Sequence, residues 1–145
     1  MSEKENIQLA EQAIAALNAR DIDRYLQRID ESYIGESETA PGPIRGPEGV
    51  RQNFNMLLTA FPDLHLEIEQ ILATADHVVT RVRITGTQRG SFAGIAPTNK
   101  SVSWRGCTVS EVRNGKVVRS RVYADNASVF QQLGVLATTK AAAAR

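Results

Sequence analysis

Cysteine occurs once in the 145-residue chain, as Cys107, so no internal disulfide staples the fold and a reducing compartment suits it. On its strand Cys107 has no histidine partner and reads as a buried structural thiol. Histidine occurs twice, as His65 and His77, with no cysteine or carboxylate at ligand spacing, and no metal site is expected. Charge of one sign is missing too. The 17 basic and 16 acidic side chains leave +1, which argues against nucleic acid or anionic membrane as a partner. No apolar run approaches the roughly 20 residues that cross a bilayer. The opening residues, MSEKENIQ, carry neither the basic nor the apolar segment of a signal peptide, so the expected location is cytoplasmic. Gly90, Gly94 and Pro97 share a loop without the strand–glycine–helix context of a phosphate cradle, so nucleotide binding is not supported. With 42% hydrophobic and 23% charged residues, what remains is one globular domain large enough for a core without staples.

What is present begins with helices. Ser2-x-x-Glu5 has the form of a capping box, and Ile7, Ala10, Ile14 and Leu17 follow at helical spacing, which predicts an amphipathic helix over 3–18. Asp21 can cap a second, short helix carrying Tyr25, Leu26 and Ile29. Tyr33-Ile34 reads as a brief strand and 38–46 as a Pro/Gly loop, beside which Glu36 and Glu38 are either a second acid or, the commoner case, solvated. Pro47 suits the first turn of a third helix, whose apolar face takes Val50, Phe54, Leu57, Leu58 and Phe61 until Pro62 stops it. From Leu64 the period changes to two. Leu64, Leu66 and Ile68 alternate with His65, Glu67 and Glu69, and a second strand follows over 77–88. Helices first and an antiparallel meander after them make an α+β architecture, with helices on one face of a curved sheet. One domain is expected over 1–134, with 135–145 a frayed tail whose Val135 and Leu136 can still pack on the last helix.

The strongest local signal is a hairpin. Two β-branched runs, 101–112 and 116–123, flank Asn114-Gly115, the dipeptide of a type I′ turn. Along the second run Arg119, Arg121, Tyr123 and Asp125 share one face, while Val118, Ser120, Val122 and Ala124 share the other. Asp125 ends the strand and precedes a short helix, 126–133, stopped by Gly134. It can therefore cap that helix or, desolvated in a pocket, act as a general base. Arg121 and Tyr123 share its face and would stabilise developing oxyanion charge if that face meets a cavity; the more apolar opposite face sends them to solvent instead. Trp104, with Gly106, Thr108 and Ser110 on its parity, can form a slot for a flat ligand or an ordinary core contact. Tyr33, Phe92, Gln88 and Phe54 complete the set expected to line a substrate pocket.

Several stretches look familiar in order. Gly46-Pro47-Glu48-Gly49-Val50-Arg51, Ala60-Phe61-Pro62-Asp63-Leu64, Thr85-Gly86-Thr87 and the run from Gly90 to Thr98 are joined by Asn114-Gly115-Lys116-Val117, Asp125 and Gln132-Leu133-Gly134. Together they resemble the SnoaL-like polyketide cyclase family, which has the nuclear-transport-factor-2-like fold. The resemblance implies a cone of helices on a strongly bent sheet and a homodimer. It also implies metal- and cofactor-free aldol ring closure of a polyketide-like, largely apolar substrate. Asp125 matches the family's acid/base and Arg121 its arginine. Other polar positions depart: a family glutamine and histidine fall on Gly106 and Thr108, an asparagine on Gly35, and a further histidine on Gln88. Two alternatives on the same scaffold stay open, epoxide opening and binding without catalysis.

Overall fold

Helix α1, Glu3–Asn18, starts on the expected cap: the Glu5 N–H donates to Ser2 Oγ at 3.1 Å. Asp21 caps α2, Ile22–Leu26, by accepting from the Arg24 N–H at 3.1 Å. Strands β1, Ile29–Ser37, and β2, Ile44–Arg45, lead to α3, Gly46–Ala60, with Pro47 in its first turn. The meander follows as β3, His65–Ala73, β4, His77–Thr87, β5, Ser101–Arg113, and β6, Lys116–Ala124, and α4, Asn126–Gln132, closes the order. The computed structural model describes residues 2–136, so most of the expected tail, from 137 on, lies outside the described residues. Val135 and Leu136 are about half exposed, at 54% and 45%.

One six-stranded sheet runs in the order β2-β1-β6-β5-β4-β3, antiparallel throughout except that β1 lies parallel to β6. The turn between β5 and β6 is the expected one, with Asn114 at φ 52° and Gly115 at φ 77°. The short strand expected at Tyr33-Ile34 is the middle of a nine-residue one, because β6 supplies a long pairing edge that local sequence does not reveal. The whole is an α+β cone of the expected kind, in which α1 packs on β3 and β4 and α3 on β1.

Amide side chains fasten helices to strands from behind. Asn18, at the end of α1, exchanges two hydrogen bonds with the backbone of Leu66, at 2.8 and 2.9 Å, as an added strand residue would. Gln132 on α4 does the same to Ser103, at 2.8 and 3.0 Å. Buried Asn6 donates to the carbonyls of Thr74 and Ala75 in the β3–β4 turn. Apolar packing is split into three clusters. One holds Phe61, Phe92, Trp104, Val129 and Leu133; a second Ala10, Val78 and Val112; a third Ile29, Tyr33 and Val50.

A carboxylate holds the corner between α3 and β3 to the end of β4. Asp63 accepts from the Thr87 N–H at 2.7 Å and from its hydroxyl at 2.8 Å, and these bonds hold its carboxyl below the usual range. Because the folded-state pKa is the lower one, the contribution is full above the ordinary aspartate range and fades as pH falls through the depressed value. Asp63→Asn should therefore lower stability at pH 7, and its deficit against wild type should shrink toward pH 3 in paired urea titrations.

Candidate functional site

The three core clusters do not merge because a cavity of about 260 Å³ lies among them. Its helical wall comes from Leu9, Ala10, Ala13, Ile14 and Leu17 of α1 and from Val50, Phe54 and Leu57 of α3. The sheet supplies even-numbered side chains of β4 and β5 and, from β6, Val117, Ser120, Val122 and Ala124. Cross-strand rows run Val78–Ser110–Ser120, Thr80–Thr108–Val122 and Val82–Gly106–Ala124. A belt of hydroxyls thus crosses an otherwise apolar wall.

The belt is connected. Ser110 Oγ and Ser120 Oγ lie 2.8 Å apart, both buried, and the Ser120 hydroxyl lies near enough to the Tyr33 phenol to oppose part of the effect of burial on it. Tyr33 can reach it because its hydroxyl lies over Gly35, the partner of Ser120 on β1; a Cβ at position 35 would collide with that oxygen. Burial pushes the Tyr33 phenol above its ordinary value, with the nearby Ser120 hydroxyl opposing, so the group stays protonated at neutral pH. Tyr25 is pushed up further, chiefly by burial, helped by Tyr33 and opposed by Arg28. Its ring packs on Phe54 at 5.6 Å while part of its surface stays open to the cavity. Arg28 lies beside it with Nη2 on Gln12 Oε1 at 2.8 Å, Nη1 on the Arg24 carbonyl at 3.2 Å, and Nε buried without a partner.

Five of the expected lining residues border the cavity: Trp104, Thr108, Tyr33, Phe92 and Phe54. Trp104 is a core residue as well, its ring 5.3 Å from that of Phe61. Gln88 is elsewhere. Fully buried, it spends its amide on the 95–98 loop, donating to the Ile95 and Ala96 carbonyls and accepting from the Thr98 N–H and hydroxyl. Those bonds consume the groups a ligand would need, so Gln88 shapes the loop that carries Phe92.

Asp125, Arg121 and Tyr123 share one face, and it is the outer one. Asp125 is exposed and caps α4, accepting from the Ser128 N–H at 3.1 Å. Arg121 binds Glu36 at 2.6 Å and Glu38 at 2.8 Å, and its guanidinium sits 5.3 Å from the ring of Tyr123, which is 53% exposed. The cause is a bulge. A regular continuation of the hairpin would set Arg121 opposite Thr108 and Tyr123 opposite Gly106, inside. Instead the ladder takes one extra residue of β6 between Glu111 and Val112, and Val122 and Ala124 occupy those places. Cys107, read above as buried, is half-buried on the same outer face opposite Arg81 and Tyr123. Among the described residues, Glu36 is the one carboxylate residue in the cavity lining, and its carboxylate is held by Arg121.

A model of the SnoaL-like polyketide cyclase family matches residues 7–133. The chain belongs to that family. Its resemblance extends to crystal structures: AclR of Streptomyces galilaeus, named as a hydroxylase, is 29% identical over 94% of this chain and 100% of its own, with a TM-score of 0.82. IdmH of Streptomyces antibioticus, named as a polyketide cyclase, is 26% identical over 88% of this chain and 97% of its own, at 0.76. A SnoaL-like protein of Jannaschia, 22% identical over 93% and 95%, shares the fold at 0.84. No curated protein matches the chain. Tyr25, Arg28 and Ser120 are among the lining residues unforeseen in this SnoaL-like chain; Ser110 carried a signal through its parity with Trp104, and Ser120 through its place on the even face of β6.

Asp125→Ala removes one helix cap on the side away from the cavity. It should cost about 1 kcal/mol of stability in denaturant titration, while affinity for any ligand of the cavity stays unchanged.

Proposed function

We propose that the chain is a cofactor-free enzyme of cyclase type that takes a small, largely apolar, polyketide-like molecule into the cavity and closes a ring by an aldol-type step. The observation that carries this reading is the Ser110–Ser120–Tyr33 chain of hydroxyls on an otherwise apolar wall. In the step, an enol carbon attacks a ketone carbon of the same molecule. The new C–C bond forms as the carbonyl pair moves onto oxygen, and the enol proton ends on that oxygen. A β-dicarbonyl chain is already partly enolised, so the protein's share is folding the chain and stabilising charge on the oxygen, more than strong-base chemistry. Tyr33, kept protonated by burial, donates to that oxygen, while Ser120 and Ser110 donate in turn behind it. Trp104, Phe54 and Phe92 hold the flat body, and Thr108 offers a further hydroxyl.

In this reading Asp125, Arg121 and Tyr123 serve the scaffold. Epoxide opening draws less support, since it needs a carboxylate beside a held water and Asp125 is engaged at α4. The names of two neighbours above 25% identity, a hydroxylase and a polyketide cyclase, favour chemistry on such molecules. The proposed homodimer contact is the outer sheet face, where Leu72, Val79 and Val109 form an apolar row across β3, β4 and β5.

The test is ring closure of a linear aromatic-polyketide ester, followed by absorbance and mass spectrometry. Tyr33→Phe should lower kcat by about 100-fold, and Asp125→Asn should leave it unchanged. A fully active Tyr33→Phe, or an inactive but folded Asp125→Asn, would sink the reading.

A further inference from the structure

Gln88 follows β4 directly and opens the loop that leads to β5, and its side chain is fully buried. The two legs of that loop are fastened differently. Backbone holds the first. The Arg89 and Gly90 N–H groups donate to the Ala60 carbonyl at the end of α3, at 2.8 and 3.2 Å, and a Cβ at position 90 would collide with the Thr59 carbonyl. A single side chain holds the second leg, 95–98. Gln88 Nε2 donates to the Ile95 and Ala96 carbonyls at 3.0 and 3.3 Å, and Gln88 Oε1 accepts from the Thr98 N–H and hydroxyl at 3.1 and 2.7 Å. Among the described residues, the other hydrogen bonds of 95–98 stay within the loop, to Phe92 and Lys100.

Between the legs is a two-residue turn, with Ala93 at φ 49° and Gly94 at φ 80°. The Phe92 N–H donates to the Ile95 carbonyl at 3.0 Å, and the Ile95 N–H to the Phe92 carbonyl at 2.8 Å. Left-handed backbone is unfavourable for Ala93, which carries a Cβ, so the turn depends on its attachment. The Ile95 carbonyl receives both the Phe92 N–H and the Gln88 amide, which puts one carbonyl between the amide and the residue it steers. The Phe92 ring is buried, packs edge-on to Phe61 at 5.1 Å, and lines the cavity, as Trp104 does.

We infer that Gln88 is a positioning residue for the cavity: by pinning the 95–98 leg it fixes Phe92, so that this part of the wall is set before a ligand arrives instead of closing over it. An amide suits the task because it gives two hydrogen bonds and receives two. With the wall preset, a ligand does not have to order the loop, and affinity falls in proportion to the fraction of molecules in which the leg is released. This rests on the cavity being a binding site, as read under Proposed function; the attachment itself can be read without a ligand.

Gln88→Glu makes the attachment conditional on a proton. Protonated, the introduced carboxyl can donate to a carbonyl; ionised, it sets negative oxygen against the Ile95 and Ala96 carbonyls, and burial among them raises its pKa. The leg should therefore be held at about pH 5 and released at about pH 8. Affinity for 1-aminoanthracene, an apolar fluorophore excited by energy transfer from Trp104, should fall about tenfold in this variant across that range and stay nearly constant in the wild type. Over the same range the Trp104 emission of the ligand-free variant should move to longer wavelength, while far-ultraviolet circular dichroism stays that of a folded protein. Gln88→Met, which keeps the side-chain length without the hydrogen bonds, should weaken the probe equally at both pH values. In the wild type, the Thr98 amide should exchange its hydrogen about a hundredfold more slowly than an exposed amide. A Gln88→Glu variant that keeps wild-type emission and affinity at the higher pH overturns the positioning role. So does free exchange of the Thr98 amide in the wild type, whether or not the variants fold. If 1-aminoanthracene binds neither protein, the cavity reading falls, and the emission shift and the Thr98 exchange alone decide the role of Gln88.

Discussion

Between Glu111 and Val112 the β5–β6 ladder admits one extra residue of β6, and that irregularity decides which side chains the cavity sees. Side chains alternate with period two, so a shift of one exchanges every inward residue for its outward neighbour. With the bulge, Ser120, Val122 and Ala124 meet the interior. Without it, Arg119, Arg121 and Tyr123 would. The energetic preference is plain: two guanidinium groups would lose their hydration against an apolar wall, whereas a serine that finds Ser110 at 2.8 Å loses little. On the outer face Arg121 meets two carboxylates and an aromatic ring in partial contact with water, where its charge is easily kept.

The hollow interior places demands on everything around it. Side chains that line a cavity have fewer protein dispersion partners than those of a packed core, so the wall is held by other means. Phe61 and Trp104 pack as tilted rings at one end, and the amide clamps of Asn18 and Gln132 fix a helix to a strand through paired backbone bonds. Asn6 and Gln88 tie down the two loops that have no strand partner of their own. Polar groups here do structural work at the rim while the lining stays mostly apolar. Such a division suits a protein that must keep one shape around a guest.

Much of the architecture could be read from residue order. The cap at Ser2, the change of period at Leu64 and the Asn114-Gly115 turn each state a local geometry, and each is found where it was read. The aromatic lining was legible too, since Trp104, Phe54 and Phe92 are large apolar groups with few other places to go. The facing of β6 was not. Nothing in Lys116-Val117-Val118-Arg119 announces a bulge, because valine is equally at home on either side of the extra residue. Gln88 was misread for a related reason: a buried amide is satisfied by whichever backbone comes to it, and that loop is distant from any periodic pattern. The parallel partnership of β1 with β6 is likewise a tertiary fact, which is why a long strand looked like a brief one.

That partnership has a consequence in time. Strands β3 and β4, and β5 and β6, are joined by short turns, and the loop 88–100 joins β4 to β5, so all four can pair with neighbours in sequence, but β1 must wait for a segment 85 residues further along, the separation between Glu36 and Arg121. Loop-closure entropy makes such a pairing slow and late. Until it forms, one wall of the chamber is missing, along with Tyr33. On a ribosome the meander can assemble as its strands emerge, whereas the enclosed space arises only once almost the whole chain is available. The binding chamber is thus the last thing the chain makes.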